Sequence, residues 1–267
     1  MNGHCHESYL MDSLNPENPP VMTTPAPPGP RVLGFWGTVV WGVVIFAAMF
    51  LGQLATIVYF VLVEGGPIDI AGTIRIVGKG LTISLSVLTG LPAVLAALWL
   101  AIRYIRRPFT EYLALRWTSW KNFAIGLAGL VAVVVAWDVM SRLTGREVSP
   151  GFMLDVLKSA RADGALWLLV LAFCVAAPVS EELIARGFLF RGWSESVVGP
   201  AGAIVLSSLV WTAMHLQYDW YFFGEVLCLG LWFGYLRYRS GSTWLTIVLH
   251  GLNNFAAVLQ TIWLASS

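Results

Sequence analysis

Charge is scarce in this chain. Asp, Glu, Lys and Arg make up 12% of its 267 residues, about half the share found in soluble domains. The net charge of +1 leaves no basic stripe of the kind that holds phosphates, which excludes nucleic acid as a partner. Cysteine is nearly absent: Cys5, Cys174 and Cys228 are odd in number, and two of them lie in apolar runs. No disulfide framework is therefore expected, and the cysteines do not fix a compartment. The start of the chain also lacks the pattern of a secretory signal, a charged start followed directly by an apolar run and a small-residue cleavage site, so none is expected.

What fills the chain instead is apolar. Hydrophobic residues make up 57% of it and thirteen are Trp, a composition that suits an integral membrane protein with aromatic belts at both interfaces. Residues 1–32 hold seven of the thirteen prolines and read as a disordered tail with no core to bury. His4, Cys5 and His6 in that tail read as solvated residues ahead of metal ligands, with Met11 or Met22 as alternative starts. From Val32 onward apolar segments recur at about the length that crosses a ~30 Å hydrocarbon layer as a helix. They cover about 33–63, 81–105, 120–140, 165–192, 200–217, 220–238 and 242–264. The expectation is an all-α, polytopic transmembrane bundle of about seven spans, the first of them tilted or broken because of its length and the fourth kinked at Pro178.

Seven crossings place Arg31, Arg103, Arg106, Arg107, Arg116, Lys121, Arg186, Arg191, Arg237 and Arg239 on the side of the N-terminus. Arg75, Lys79, Arg142, Arg146, Lys158 and Arg161 fall on the other. Ten basic residues against six put the N-terminus in the cytoplasm, with the cell (inner) membrane as the location. Gly230 and Gly234 form a small-xxx-small pair, read as close packing inside one bundle.

Against this background the polar residues inside the spans stand out, because a charge at the bilayer centre costs about 2.5–3.5 kcal/mol on insertion scales. Asp138 is expected at an interface, and Glu225 in a water-facing or packing role. Glu181 lies ten residues from Arg191, His215 fifteen from Pro200 and His250 eleven from Arg239. At 1.5 Å of rise per residue these are depths of roughly 15, 22 and 16 Å from one side, on three different helices. One polar pocket is the reading. Glu182 and Arg186 are four apart and share a helix face, so they pair, while Glu181, about 100° round the helix, is left for chemistry. His250 and Asn254, again at i and i+4, present donors together for a developing oxyanion.

The segments "EELIARG", "WTAMH" and "HGLNN" resemble the motifs EExxxR, FxxxH and HxxxN of the CPBP intramembrane proteases, the family of the CAAX prenyl proteases and the Abi proteins. The resemblance covers roughly residues 165–260. It implies that Glu181 is the general base, with His215 beside it, activating a water for attack on a peptide carbonyl. It also implies that His250 and Asn254 stabilise the oxyanion, and that Glu182 and Arg186 shape the site. Trp211 stands where the family usually has Phe, and Ala185 where an aromatic is common. Both change the lining of the pocket, and with it the fit of substrate, more than its chemistry.

The chain thus divides into three regions: the tail 1–32, N-terminal transmembrane helices with a basic loop over 33–164, and a catalytic core over 165–264. No serine or cysteine has an obvious base at helical partner spacing, which leaves water activated by a carboxylate. The zinc-protease signal HExxH is absent, so no cofactor is expected. The alternative is a zinc ion on Glu181, His215 and His250. Partners are the lipid bilayer and a peptide or protein substrate, lipidated or not. A non-catalytic immunity or assembly protein with the same fold is the competing function. A proton-coupled transporter fits less well, because the first half shows no inverted repeat of a broken helix.

Overall fold

A computed structural model of the chain describes residues 29, 31–63, 69–148 and 151–265. The chain divides into two units, Met1–Pro30 and Arg31–Ser267, and the described helices all belong to the second. The tail, with His4, Cys5, His6, Met11 and Met22, lies outside the described residues apart from Gly29, Arg31 and Val32.

Among the described residues the fold is helical throughout, with no strand. The helices are α1 (Gly34–Val63), α2 (Ile70–Val77), α3 (Gly80–Ile105), α4 (Phe109–Tyr112), α5 (Trp120–Leu143) and α6 (Gly151–Ala162). They continue with α7 (Leu166–Ser194), α8 (Gly199–Ala213), α9 (Trp220–Ser240) and α10 (Thr243–Leu264). Local chemistry sets several ends. The side chains of Ser119, Asp219 and Ser242 accept from free backbone N–H groups at the starts of α5, α9 and α10, as helix N-caps do. Gly241, at φ 64°, closes α9 in the left-handed conformation that glycine adopts without strain.

Each of the seven apolar segments is a helix. Five of them, α1, α3, α5, α7 and α10, are long and apolar enough to cross a membrane by length and composition. The other two of the seven segments do not meet that measure, for two physical reasons. Helix α8 has 15 residues, about 22 Å, and falls short of a ~30 Å layer. Helix α9 is long enough but carries Glu225, Arg237 and Arg239 in its 21 residues, which lowers its mean hydropathy. The first segment is one unbroken helix of 30 residues. Helices α2 and α6, which the hydropathy pattern does not reveal, occupy the connections after α1 and α5.

Contacts between helix ends show the alternation of the bundle. At one end Arg31 N–H donates to the Ile105 carbonyl, Arg107 pairs with Glu195, and Ser242 Oγ donates to the Arg116 carbonyl. The start of α1 and the end of α3, the end of α7, and the α9–α10 turn therefore meet there. At the other end Gly80 N–H donates to Ser159 Oγ, and the Ser141 hydroxyl lies 3.0 Å from the Tyr221 hydroxyl. That joins the start of α3 to α6, and the end of α5 to the start of α9. Helix α6 buries Met153, Val156, Leu157 and Ala160 and exposes Asp155, Lys158 and Arg161, the split face of a surface helix. It docks on Gly80, where an added Cβ would come within 2.6 Å of the Ala160 Cβ. Gly230 and Gly234 pack against α8 at Ser208 and Ile204, inside one bundle.

Candidate active site

The site is built around α7, whose hydrogen-bond ladder changes twice. A π-helical turn, Ala172–Ala176, precedes the α-helical segment Ala177–Glu182, and a second, Leu183–Leu189, follows it. The break expected at Pro178 thus takes the form of a wide turn directly before it. Proline lacks an N–H for the carbonyl four residues back and crowds it. That carbonyl belongs to Cys174, and it faces α10 at Gly251, where a Cβ would lie 2.6 Å from it. Only a residue without a side chain lets α10 come this close.

Side chains from α9 and α10 hold both wide turns. Asn254 Nδ2 donates to the Phe173 carbonyl at 2.8 Å. Arg237 Nε donates to the Arg186 carbonyl at 3.0 Å and to Thr243 Oγ1 at 3.1 Å, and Thr243 Oγ1 donates to the Leu113 carbonyl at 2.6 Å. π-Turns occur mostly as single bulges at functional sites. Here two of them frame the two adjacent glutamates.

Glu182 and Arg186 form the expected pair, with Nη1 2.9 Å from Oε1 and both side chains fully buried. Arg186 Nη2 also donates to the Gly230 carbonyl at 3.0 Å. Its guanidinium lies over Trp211, 4.5 Å from the ring centroid, with Phe233 at 5.7 Å. Such desolvated cation–π contacts add to the ion pair. His250 Nδ1 lies 3.1 Å from the same Glu182 Oε1. A carboxylate beside a guanidinium only accepts, so it draws the ring proton to Nδ1.

Glu181 differs from its neighbour. Its side chain keeps 16% of its surface accessible, against 0% for Glu182. Trp211 Nε1 donates to Glu181 Oε2 at 2.6 Å. His215 Nε2 lies 4.0 Å from that oxygen, too far for a direct hydrogen bond and a span that one water can bridge. The His215 tautomer is set by its other nitrogen: Nδ1 sits 3.0 Å from the Trp211 carbonyl, which can only accept. In the neutral ring the proton is therefore on Nδ1 and the lone pair is on Nε2, facing Glu181.

His215 does not lie inside a helix as the hydropathy pattern suggests. Helix α8 ends at Ala213, and His215 sits in the turns that lead to α9. Irregular backbone at membrane depth is tolerated where it lines a cavity, and these turns do so. A cavity of about 510 Å³ is lined by Glu181, Trp211, His215, His250, Asn253 and Asn254. It continues along α5, α6 and α9 past Asp138, Phe152, Gln217, Tyr218 and Glu225.

Glu181, His215, His250, Asn254 and Trp211 thus share one cavity wall, with Glu182 and Arg186 buried behind it. Asp138, expected at an interface, lines the cavity and accepts from Gln260 Nε2 at 3.2 Å. In the sequence Arg237 reads only as a topological charge, yet in the fold it braces the glutamate helix. Its position in an apolar segment, five residues before "STW", carries no signal of that contact. Among the described residues no group of three His, Cys, Asp or Glu side chains is placed to hold a metal ion.

Residues 163–256 match the family described as Type II CAAX prenyl endopeptidase Rce1-like, and this stretch contains all three motifs. Neither a curated protein nor a solved structure matches the chain. Over residues 163–256 the chain is similar to the Rce1-like type II CAAX prenyl endopeptidases, consistent with the CPBP resemblance of the three motifs.

Proposed function

We propose that this chain is an intramembrane endopeptidase that hydrolyses peptide bonds near the membrane surface with a water held between Glu181 and His215. The observation that carries the reading is the 4.0 Å gap between Glu181 Oε2 and His215 Nε2, with the ring proton held away at Nδ1. Both facing atoms accept, so a water between them directs its two hydrogens to them and a lone pair to the cavity. Glu181 takes the proton as the water attacks a peptide carbonyl and returns it to the amine nitrogen as the C–N bond breaks, while His215 orients the water. Trp211 fixes the carboxylate through its indole N–H.

His250 and Asn254 stabilise the developing oxyanion. Asn254 uses one amide hydrogen on Phe173 and has a second for the cavity. With Nδ1 held by Glu182, His250 keeps Nε2 for the cavity that it lines. Glu182 and Arg186 hold this second histidine in place.

The reaction runs without a metal. Among the described residues Glu181, His215 and His250 do not form a group placed to hold a metal ion, which supports that reading. Stoichiometric zinc in the wild type that vanishes in His250→Ala would overturn it. The N-terminus lies in the cytoplasm and the protein in the cell (inner) membrane, as its basic end indicates. Arg186 leaves the count of topological charges because it is buried and paired. Nine basic residues then remain at the basic end against six at the other.

Comparison of membrane peptidomes from cells carrying wild type and Glu181→Gln tests the function. New termini present only with the wild type are expected. Identical peptidomes would favour a non-catalytic binding protein.

A further inference from the structure

The strip of α10 that lines the cavity carries one polar side chain more than the hydrolysis uses. His250, Asn253 and Asn254 all line the cavity together with Glu181. Spaced three and four residues from His250, the two asparagines share its helix face. Asn253 is the polar residue of "HGLNN" outside the histidine–asparagine pair. It stays partly accessible. Among the described residues its side chain makes one hydrogen bond, a long one from Nδ2 to Asn254 Oδ1 at 3.5 Å.

That contact fixes which way both amides point. The Phe173 carbonyl only accepts, so Asn254 turns Nδ2 to it, at 2.8 Å. Asn254 then presents Oδ1 to its neighbour, and Asn253 answers with a donor. What remains on Asn253 is a carbonyl oxygen, with no donor to it among the described residues, and one N–H. Much of the surrounding wall is apolar, with Val134, Phe173, Phe222, Val226 and Leu229. A molecule that fills the cavity shields this amide from water and has to supply the missing partners.

A peptide group supplies both, because its N–H donates and its C=O accepts, and neither is left unpaired when drawn out of water. Inside a helix these groups are spent on each other; an unwound segment has them free. Asn253 stands three residues beyond His250, about 4.5 Å along the axis. Successive residues of an extended chain stand ~3.3 Å apart. With the scissile carbonyl at His250, the neighbouring peptide group therefore comes beside Asn253.

We propose that Asn253 binds the main chain of the substrate. Its Oδ1 accepts from the peptide N–H next to the scissile bond, and its remaining N–H donates to a carbonyl of the same segment. The substrate is then a segment unwound around the cut and held there by its backbone. Calling the occupant a substrate rests on the protease reading.

The test removes one hydrogen-bond partner from each molecule. A peptide carrying a cleavage site mapped by the peptidome comparison is made in three forms: all-amide, and with the peptide group on either side of the scissile bond changed to an ester, which has no N–H. Wild type and Asn253→Ala are compared on all three in detergent, with products read by mass. One of the two esters should lower kcat/KM of the wild type about tenfold, as the loss of one shielded hydrogen bond does. Asn253→Ala should be slower than wild type on the all-amide peptide by a similar factor and lose nothing more with that ester.

If Asn253 only steadied Asn254, its loss would slow all three peptides alike and leave the ester penalty in place. That result, or the absence of any ester penalty in the wild type, would overturn the assignment. Asn253→Leu removes both polar groups and keeps the size of the side chain, and it gives the same comparison should Asn253→Ala melt below the wild type. A wild type that leaves the all-amide peptide intact would sink the protease reading itself. Cleavage with an equal ester penalty in both enzymes would sink only the role of Asn253.

Discussion

Helices α1 and α7 are nearly the same length, at 30 and 29 residues, and the most apolar stretch of each is nearly equally apolar, with mean hydropathies of 2.2 and 2.0. They differ in what they touch. Only 6% of the most apolar stretch of α1 is buried within the protein, against 56% of that of α7. Helix α1 leans on α3 and turns the rest of its surface outward, with Val40, Val43, Phe50, Leu51 and Leu62 exposed. Helix α7 is enclosed and interrupted by two π-turns, and it holds two glutamates. Hydropathy measures how well a helix tolerates lipid; it does not say whether lipid or protein surrounds it. In a bilayer, burying an apolar side chain against protein brings little hydrophobic gain, so specific packing and polar contacts distinguish the two helices.

Variants that break the contrast should rank accordingly. Arg186→Ala should have the largest effect, because it leaves Glu182 buried without its guanidinium. A loss of about 3–5 kcal/mol is expected, read as a lowered melting temperature in detergent. Normal melting would contradict the pairing. Removing both charges, Glu182→Gln with Arg186→Met, should recover a large part of the melting temperature.

Arg237→Ala comes next. It removes the charged donor to the Arg186 carbonyl and to Thr243, for an expected loss of about 1.5–3 kcal/mol. Amide exchange should rise over Leu183–Leu189 in particular. Exchange that rises evenly along the chain would refute its role as a brace. Gly251→Ala places a methyl group against the Cys174 carbonyl and should cost about 1–3 kcal/mol through overpacking. An unchanged melting temperature would show that α10 does not need this close approach.

Leu51→Ala on α1 should have the smallest effect. It trims a lipid-facing side chain, and a change within about 0.5 kcal/mol is expected. A larger loss would mean that this face of α1 meets protein.

Much of this contrast is legible in the sequence. The seven apolar segments fall within a few residues of the observed helices, because length and hydropathy are local properties. The Glu182–Arg186 pair is evident from a spacing of four. The site itself depends on contacts between helices, and there local patterns say less. Depth counting brings Glu181, His215 and His250 to one level, but it places His215 inside a helix that ends at Ala213. Nothing in the local pattern says that this helix stops short so that its turn can line a cavity. Asp138 is expected at an interface because it lies near a helix end. Its partner Gln260 is 122 residues away, and no spacing rule connects them. Helix α6 escapes notice because its mixed polar and apolar face reads as a loop at the resolution of a membrane-span window.

The central claim is that Glu181 and His215 act on one water. A double-mutant cycle in turnover tests it most directly, with Glu181→Gln, His215→Ala and the combination purified and compared on one identified substrate. Each single change should lower kcat by about 10²–10⁴-fold with melting temperatures close to that of the wild type. The double variant should be no worse than the less active single one, because a shared water is lost only once. Substantial turnover in either single variant, or losses that multiply in the double, would contradict it.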